Sequence, residues 1–386
     1  MSRVERLKYG AMLVIATFAI VIVEDPPFPY KLLVPLLYSA ALLIPITSQF
    51  ILPASPILLW LVLYYSCRFI PESTRPHIWV SVLPTLETIW YGANISDILT
   101  RFGHPLLDVL AWIPYGVVHF IAPFVVASFI FVFAPQGSVK MFANAFGFTN
   151  LVGVLIQIAF PCAPPWYELR EGLTAANYGM RGSPAGLARI DHIFHGHGYT
   201  LTFTGAPVVF GAFPSLHAAT ATCESLFLSY FFPYKLRIGR FSVDVRIFYW
   251  GYSFWLYWCT MYLMHHYLID LVAGGCLATL SFYVFRTEQI REAMEQRVAD
   301  MEYAEHRRNQ VPLPPSDNLR IARLAGEEAG QAAYEGRGWK MSQEIQRAIL
   351  GDERDALSTA TPFFALEETE SAPGDVDVHS RGAAAA

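Results

Sequence analysis

The chain has 386 residues, of which 54% are hydrophobic and only 15% are charged. Soluble domains average about 25% charged residues, so this composition favours a polytopic membrane protein over a large soluble core. The net charge is −5 and there is no large basic block, which argues against nucleic acid as a partner. The five cysteines show no CxxC or other metal-binding spacing.

Apolar segments recur as far as residue 285 and then stop. A helix needs about 20 apolar residues to cross a bilayer, and the candidate spans are 9–23, 32–48, 51–70, 108–134, 141–160, 215–232, 246–264 and 267–285. The first lacks a small-residue cleavage site and is interpreted as a retained span. A break at 45–49, with Pro53 and Pro56 beyond it, separates the second and third, although the two could form one kinked helix. Segment 75–93 is mixed in character and fits an interfacial position better than a crossing.

Positive residues near span ends mark the cytoplasmic side. They occur at the N-terminus, before the fifth candidate, between the sixth and seventh, and after the last. With eight spans all four sites fall on one side of the membrane. The connections 71–107 and 161–214 then face the lumen, where the tripeptide Asn94-Ile95-Ser96 is a glycosylation sequon.

These features predict an all-α polytopic helical bundle in three parts. Residues 1–107 hold the N-terminal spans and a lumenal or interfacial segment. Residues 108–285 form the transmembrane core, with a lumenal loop at 161–214 that is too long for a plain connector. Residues 286–386 form a cytoplasmic tail that is expected to be partly disordered.

Two short motifs stand at the lumenal ends of predicted spans. The first is Phe213-Pro214-Ser215-Leu216-His217, in which Pro214 and Ser215 form a good helix start and Ser215 can cap the exposed N–H groups. The free N–H groups and the positive end of the helix dipole suit an anion such as phosphate. His217 is predicted to lie in the first turn of this helix.

The second motif, HHYLID at 265–270, opens the last span. His266 and Asp270 are four residues apart and share a helix face, so Asp270 can accept a hydrogen bond from one ring nitrogen and leave the other as a nucleophile. His265 lies about 100° round the helix and cannot use Asp270 in the same way. An ionisable residue inside a span is costly and indicates function. The glycine pair 274–275 would let a neighbouring helix approach closely.

Other candidate sites are weaker. The H-x-x-H-x-H pattern at 192–197 could bind a metal, but no matched carboxylate or thiol set accompanies it, and no metal site is expected. Ser215 lacks the G-x-S-x-G surroundings of a hydrolase nucleophile. Cys67 and Cys162 both fall at lumenal span ends, where a disulfide is possible, although two free thiols are favoured.

The two motifs resemble the second and third signatures of the type 2 phosphatidic acid phosphatase superfamily. Longer strings are similar to the fungal inositol phosphorylceramide synthase family: CAPPWYELREG (162–172), YGMRGSPAGLARID (178–191), FGAFPSLHAATAT (210–222) and MYLMHHYLIDLVAGG (261–275). The resemblance covers residues 110–285 and is most specific over 161–275. It implies a six-helix phosphatase-like core with about two additional N-terminal spans.

The chain departs from the wider superfamily at three points. Leu216 stands where the second signature has Gly, and Cys259-Thr260 where the third has Ser-Arg. The first signature, a Lys and an Arg-Pro pair, has no clear match. A phosphatase needs those cations to hold a phosphomonoester with nearly two negative charges, whereas a phosphodiester carries one. The departures therefore favour a diester substrate, with Arg189, and after it Arg181, as the remaining phosphate ligand.

The resemblance implies transfer of phosphoinositol from phosphatidylinositol to the primary hydroxyl of ceramide, in the Golgi membrane, with no cofactor or metal and with a small membrane regulatory subunit. His266 is then the nucleophile, oriented by Asp270, and His217 is the general acid and base. Ser215 and His265 are expected to contribute to substrate binding. The rival interpretations are a lipid phosphatase or another phosphodiester transferase on the same fold, and a non-enzymatic lipid transporter.

Overall fold

The structure is a computed structural model that describes residues 3–239 and 241–309. The regular secondary structure of the described part is almost all helical. Its helices are α1 (Arg3–Ile22), α2 (Leu33–Leu43), α3 (Pro45–Ser66), α4 (Val82–Tyr91), α5 (Ile95–Thr100), α6 (Pro105–Trp112), α7 (His119–Phe133), α8 (Ser138–Ala159), α9 (Pro165–Glu171), α10 (Leu187–Ile193), α11 (Gly198–Thr204), α12 (Leu216–Phe231), α13 (Arg246–Tyr262), α14 (Leu268–Phe285) and α15 (Glu288–Asn309). A π-helical segment, Ile113–Val118, joins α6 to α7.

Four helical stretches among the described residues are long and apolar enough to cross a membrane: Pro45–Phe69, Pro105–Phe133, Ser138–Ala159 and Leu268–Phe285. This confirms the predicted all-α polytopic class. The other predicted spans also fall on helices, but α12 and α13 have only 16 and 17 residues. Helix α1 has 20 residues and begins with a charged turn. Length and composition alone therefore support four of the eight predicted spans.

The break between the second and third predicted spans lies earlier than expected. Helix α2 ends at Leu43, Ile44 has an extended backbone, and Pro45 opens α3. Proline is tolerated at a first helical position because its missing N–H would have no intrahelical partner there. Pro53 and Pro56 lie inside α3 rather than between two helices, so the predicted boundary at 45–49 was wrong.

Helix α8 is the central element of the membrane core. It packs against α3, α7, α12 and α14, and most of its side chains are buried. Gly147 permits the contact with α3, since a Cβ there would lie 2.6 Å from the Cβ of Pro56. Helix α7 instead exposes large apolar side chains such as Phe124 and Phe131. Lipid tails are as apolar as leucine, so such an outer surface suits a bilayer.

The segment 161–214 is a structured connection rather than a plain loop. It contains α9, α10 and α11. The carboxylate of Asp191 accepts hydrogen bonds from the backbone N–H groups of Tyr199 and Thr200 and from the Thr200 hydroxyl, at 2.7–3.0 Å. One buried carboxylate therefore ties the end of α10 to the start of α11.

A short antiparallel hairpin, which the sequence analysis did not predict, connects α12 to α13. Its strands are β1 (Lys235–Ile238) and β2 (Phe241–Asp244). Gly239 in the turn has φ of 60°, a conformation that glycine adopts without a steric penalty. Hydrogen bonds from the Arg246 side chain lower the pKa of Asp244 to about 2, which keeps this ion pair charged across the physiological range.

The chain divides into two units, Met1–Arg291 and Glu292–Ala386. In the second unit the described residues continue α15 to Asn309. Most of the predicted tail 286–386, from residue 310 onward, lies outside the described residues. Its expected disorder and the predicted three-part division stay predictions.

Candidate active site

The two sequence motifs meet where α12 and α14 begin. Ser215 is the N-cap of α12, and its hydroxyl accepts a hydrogen bond from the backbone N–H of Ala218 at 3.2 Å. The backbone N–H of Ser215 donates to the carbonyl of Asp270 at 2.9 Å. A Cβ on Gly274 would lie 2.2 Å from the Ser215 carbonyl oxygen. The predicted close approach at Gly274 is confirmed, and it brings His217 to the start of α14.

The motif side chains form one hydrogen-bonded series. His217 Nδ1 lies 3.0 Å from His266 Nε2, and His266 Nδ1 lies 2.7 Å from Asp270 Oδ2. Asp270 is fully buried and His266 is 5% exposed. The three predicted catalytic residues are therefore in contact, in the order that a general acid, a nucleophile and an orienting carboxylate require.

Backbone hydrogen bonds hold the turn that carries His266. The Thr260 carbonyl accepts from the backbone N–H groups of both His265 and His266, at 2.9 and 3.3 Å. The carboxylate of Glu87 accepts from the two N–H groups that open α14, at 3.2 and 3.1 Å. These are N–H groups that a helix leaves without an internal partner.

Sequence reasoning missed Glu87. It lies on α4, in the segment that was interpreted as interfacial, and it is fully buried. The available signal was an acidic residue in a largely apolar run. Its role depends on the position of α14, which the local sequence does not contain.

A cavity of about 150 Å³ opens beside the histidines. Its lining consists of Tyr64, Tyr115, Gln157, Pro164, Trp166, Gly182, Ser183, Phe203, Ala206, Val208, Val209, Gly211, Ala212, Leu216, His217, His265 and His266. Among these described residues there is no lysine or arginine, and the neutral polar side chains carry an amide, an indole N–H and several hydroxyls. An anion in this cavity would therefore be held by neutral donors and imidazoles.

Of the four predicted substrate-binding residues, one lines the cavity. His265 lines the cavity. Ser215 is fully buried as a helix cap. Arg189 lies outside the lining, where its Nε donates to the carboxylate of Asp108 at 2.8 Å, and Arg181 is exposed. Phosphate binding by either arginine stays a prediction.

Two residues that sequence reasoning did not single out lie against His217. The Tyr115 ring centre is 4.7 Å from that of His217 and 5.3 Å from that of His265. The His119 ring centre is 4.9 Å from that of His217. Tyr115 belongs to the π-helical segment, and His119 is the first residue of α7. A histidine within a predicted span was the signal that was available for His119.

The predicted sequon has internal contacts. Asn94 caps α5 and its side-chain amide donates to Glu168 at 2.9 Å. The hydroxyl of Ser96 is buried and donates to the Met261 carbonyl at 3.0 Å. Both polar side chains of the tripeptide are therefore occupied by contacts within the fold.

Cys67 and Cys162 are both buried free thiols. Burial raises the pKa of the Cys162 thiol to about 12. This disfavours the thiolate, which is the reactive form of cysteine. The structure thus agrees with the favoured interpretation of two unpaired cysteines.

The described residues contain no group of three or more His, Cys, Asp or Glu side chains that could hold a metal ion. The histidines of the 192–197 pattern are exposed. They are also separate from the cavity lining. The titratable groups described beside the cavity are tyrosines and three imidazoles, with the carboxylate of Asp270 behind His266.

A protein family and several individual proteins are similar in sequence to this chain. Residues 78–284 match the family described as the PAP2 superfamily. The inositol phosphorylceramide synthase catalytic subunit of Schizosaccharomyces pombe is 50% identical over 74% of this chain and 65% of its own length. The inositol phosphorylceramide synthase of Candida albicans is 38% identical over 96% of this chain and 78% of its own length.

The inositol phosphorylceramide synthase catalytic subunit of Saccharomyces cerevisiae is 47% identical over 68% of this chain and 63% of its own length. The chain thus spans slightly less than two thirds of these two catalytic subunits and more than three quarters of the Candida protein. The family match covers more than half of this chain and includes both histidine motifs. The chain therefore belongs to the PAP2 superfamily.

Proposed function

We propose that this chain transfers phosphoinositol from phosphatidylinositol to the primary hydroxyl of ceramide and releases diacylglycerol. The observation that carries the proposal is the series His217–His266–Asp270 beside a cavity whose described lining has no lysine or arginine. A phosphomonoester carries nearly two negative charges at neutral pH, whereas a phosphodiester carries one. Such a lining suits the diester, and the names of the fungal relatives support this substrate pair.

The first half-reaction uses the hydrogen bonds of the resting site. Asp270 accepts the Nδ1 hydrogen of His266, which leaves the lone pair on Nε2. Nε2 attacks phosphorus and forms a P–N bond while the P–O bond to diacylglycerol breaks. His217 acts as an imidazolium: its Nδ1, 3.0 Å from Nε2 in the resting site, gives its proton to the departing oxygen, and the His217 ring becomes neutral. The products are diacylglycerol and a phosphoinositol group on His266.

In the second half-reaction His217 acts as a base instead of an acid, and His266 is the leaving group instead of the nucleophile. The primary hydroxyl of ceramide gives its proton to His217 Nδ1, and its oxygen attacks phosphorus. The P–N bond breaks, and the lone pair returns to His266 Nε2. The proton that left in the first half is thereby restored, and no further reactant is needed. General acid–base assistance of this kind contributes about 10²–10⁴-fold to a rate.

A transferase must also favour a lipid alcohol over water. Holding the alcohol in line with phosphorus is worth about 7–11 kcal/mol of effective concentration, which offsets the excess of water. Leu216 lines the cavity, and its side chain packs at Gly153 of α8. Cys259 and Thr260 are fully buried and lie outside the lining. Of the replacements in the two motifs, Leu216 is therefore the one positioned to restrict water in the cavity.

An assay of the purified full chain in lipid with labelled phosphatidylinositol tests the proposal. Without ceramide, turnover should be slow. Adding ceramide should stimulate diacylglycerol release and yield one inositol phosphorylceramide per diacylglycerol. Rapid release of inositol phosphate or free phosphate that ceramide does not divert would favour a phosphatase. Lipid movement that persists unchanged in His266→Ala would favour a transporter.

We further propose a location in the Golgi membrane with the site on the lumenal side and both termini in the cytosol. The positive residues at span ends support the orientation, and the resemblance supports the compartment. A small membrane regulatory subunit is proposed on the same resemblance. Co-purification of the full chain with a small membrane protein from its native membrane would support that partner.

A further inference from the structure

The π-helical segment Ile113–Val118 brings a further imidazole to the reaction centre. π-helical turns are rare and occur frequently at functional sites. The segment is closely packed, because a Cβ on Gly116 would lie 2.5 Å from the Trp112 ring and 2.6 Å from the Tyr199 hydroxyl. Directly after it, His119 opens α7 with its ring against His217.

The His119 ring is as close to His217 as the ring of His266 is. The ring centres of His119 and His217 are 4.9 Å apart, whereas those of His217 and His266, which share a hydrogen bond of 3.0 Å, are 5.2 Å apart. Nδ1 of His119 is buried and has no hydrogen-bond partner among the described residues. His119 does not line the cavity, so it can act on the reaction only through a neighbouring group.

The proposed reaction removes the hydrogen-bond partner that His217 has in the resting site. In the resting site, the His217 side chain is hydrogen-bonded to His266 Nε2. That bond is lost once Nε2 carries phosphorus. His217 must still direct Nδ1 at the lipid oxygen, first as an acid and then as a base. The other titratable rings around it are those of Tyr115, His265 and His266.

Tyr115 and His265 are less well placed for this task. Both line the cavity, and their rings stack on each other at 5.3 Å. His265 is in addition packed against Phe203, with ring centres 4.7 Å apart. The Tyr115 hydroxyl and His265 Nε2 are, like His119 Nδ1, buried without a hydrogen-bond partner among the described residues. Tyr115 and His265 are nevertheless parts of the cavity wall that a substrate would contact, whereas His119 lies outside the lining and has His217 as its neighbour on the reaction side.

We propose that His119 is a positioning residue that hydrogen-bonds His217 while His266 carries the phosphoinositol group. The proposal rests on the proposed function, because it assigns His119 to the covalent stage of that reaction. The bond would hold the ring orientation and the tautomer of His217 when its resting partner is occupied. Loss of His119 should therefore slow the chemical steps and leave lipid binding unchanged.

The test compares His119→Phe, which keeps a planar ring without nitrogens, with His119→Asn, which restores a hydrogen-bonding side chain. The same two substitutions at the exposed His192 serve as matched controls. In the labelled phosphatidylinositol assay, we expect His119→Phe to lower kcat by about 100-fold, the size of effect that misplacing a catalytic group produces. KM for phosphatidylinositol should not change, His119→Asn should recover part of kcat, and both His192 variants should match wild type.

Two further measurements separate positioning from packing. The pH profile of kcat should move in His119→Phe, because a group that sets the protonation of His217 has been removed. Thermal unfolding of each variant shows whether the fold is retained. Wild-type kcat and pH profile in His119→Phe would overturn the proposal. So would an equal loss in the Phe and Asn variants with an unshifted profile, or a loss found in Tyr115→Phe but not in His119→Phe.

The same assay distinguishes an error in the proposed function from an error in the role of His119. In that case the wild-type chain itself would make no ceramide-dependent product. The His119 variants would then be compared with wild type on the phosphate or inositol phosphate that it releases. Equal rates on that reaction would overturn the positioning role as well.

Discussion

Replacing Asp270 with asparagine removes one charge from the hydrogen-bonded series and keeps nearly the same side-chain size and shape. Asp270 is fully buried, and its Oδ2 lies 2.7 Å from His266 Nδ1. A hydrogen bond to a charged group is worth about 1.5–3 kcal/mol, and each 1.36 kcal/mol is tenfold in rate. Loss of the charge alone should therefore slow transfer by about 10- to 160-fold.

The amide adds a second effect. If its NH2 group turns toward His266, Nδ1 must become an acceptor, and the ring hydrogen moves to Nε2. The nucleophilic lone pair is then lost, an effect that reaches about 10⁴-fold in the analogous substitution of a serine protease triad. We therefore expect Asp270→Asn to retain between about 10⁻¹ and 10⁻⁴ of the wild-type rate.

The assay is ceramide-dependent transfer from labelled phosphatidylinositol, with thermal unfolding to confirm that each variant is folded. Asp97→Asn is the matched control, since Asp97 also pairs with a residue four positions away, Arg101, but near the surface. Exposed pairs are worth at most about 1 kcal/mol, so this variant should have normal activity. A folded Asp270→Asn enzyme that kept more than about a tenth of the wild-type rate would refute the reasoning.

Three further predictions concern the nucleophile, the helix contact and the topology. His266→Ala should abolish transfer in a folded protein and His265→Ala should be milder; the reverse order in the transfer assay would contradict the helix-face assignment. Gly274→Ala should lower both activity and Tm, because the new Cβ would lie 2.2 Å from a backbone oxygen at the start of α12. Gly10→Ala is the control: a Cβ at Gly10 has no atom within 4 Å, so this variant should leave activity and Tm unchanged. Protease added outside sealed microsomes should remove the C-terminal tail and spare 161–214; cleavage within 161–214 would invert the topology.

Local spacing was sufficient to predict the core of the candidate site. The i,i+4 relation of His266 and Asp270 places them on one helix face, and Ser215 is a helix cap by residue type. Composition was likewise sufficient for the all-α membrane class, because a helix satisfies its own backbone groups in lipid. The residues at which helices begin and end were harder to predict from the sequence. A proline can open a helix or interrupt one, and Pro45 opens α3.

By itself, then, the sequence determined the membrane class and the three residues of the hydrogen-bonded series, because those depend on composition and on short motifs at helix starts. Only the tertiary structure decided what surrounds them. Glu87 caps α14 and His119 packs against His217 through contacts between helices that are distant in sequence. Arg189 pairs with Asp108 instead of lining the cavity for the same reason. No local pattern records which side chains helix packing brings together.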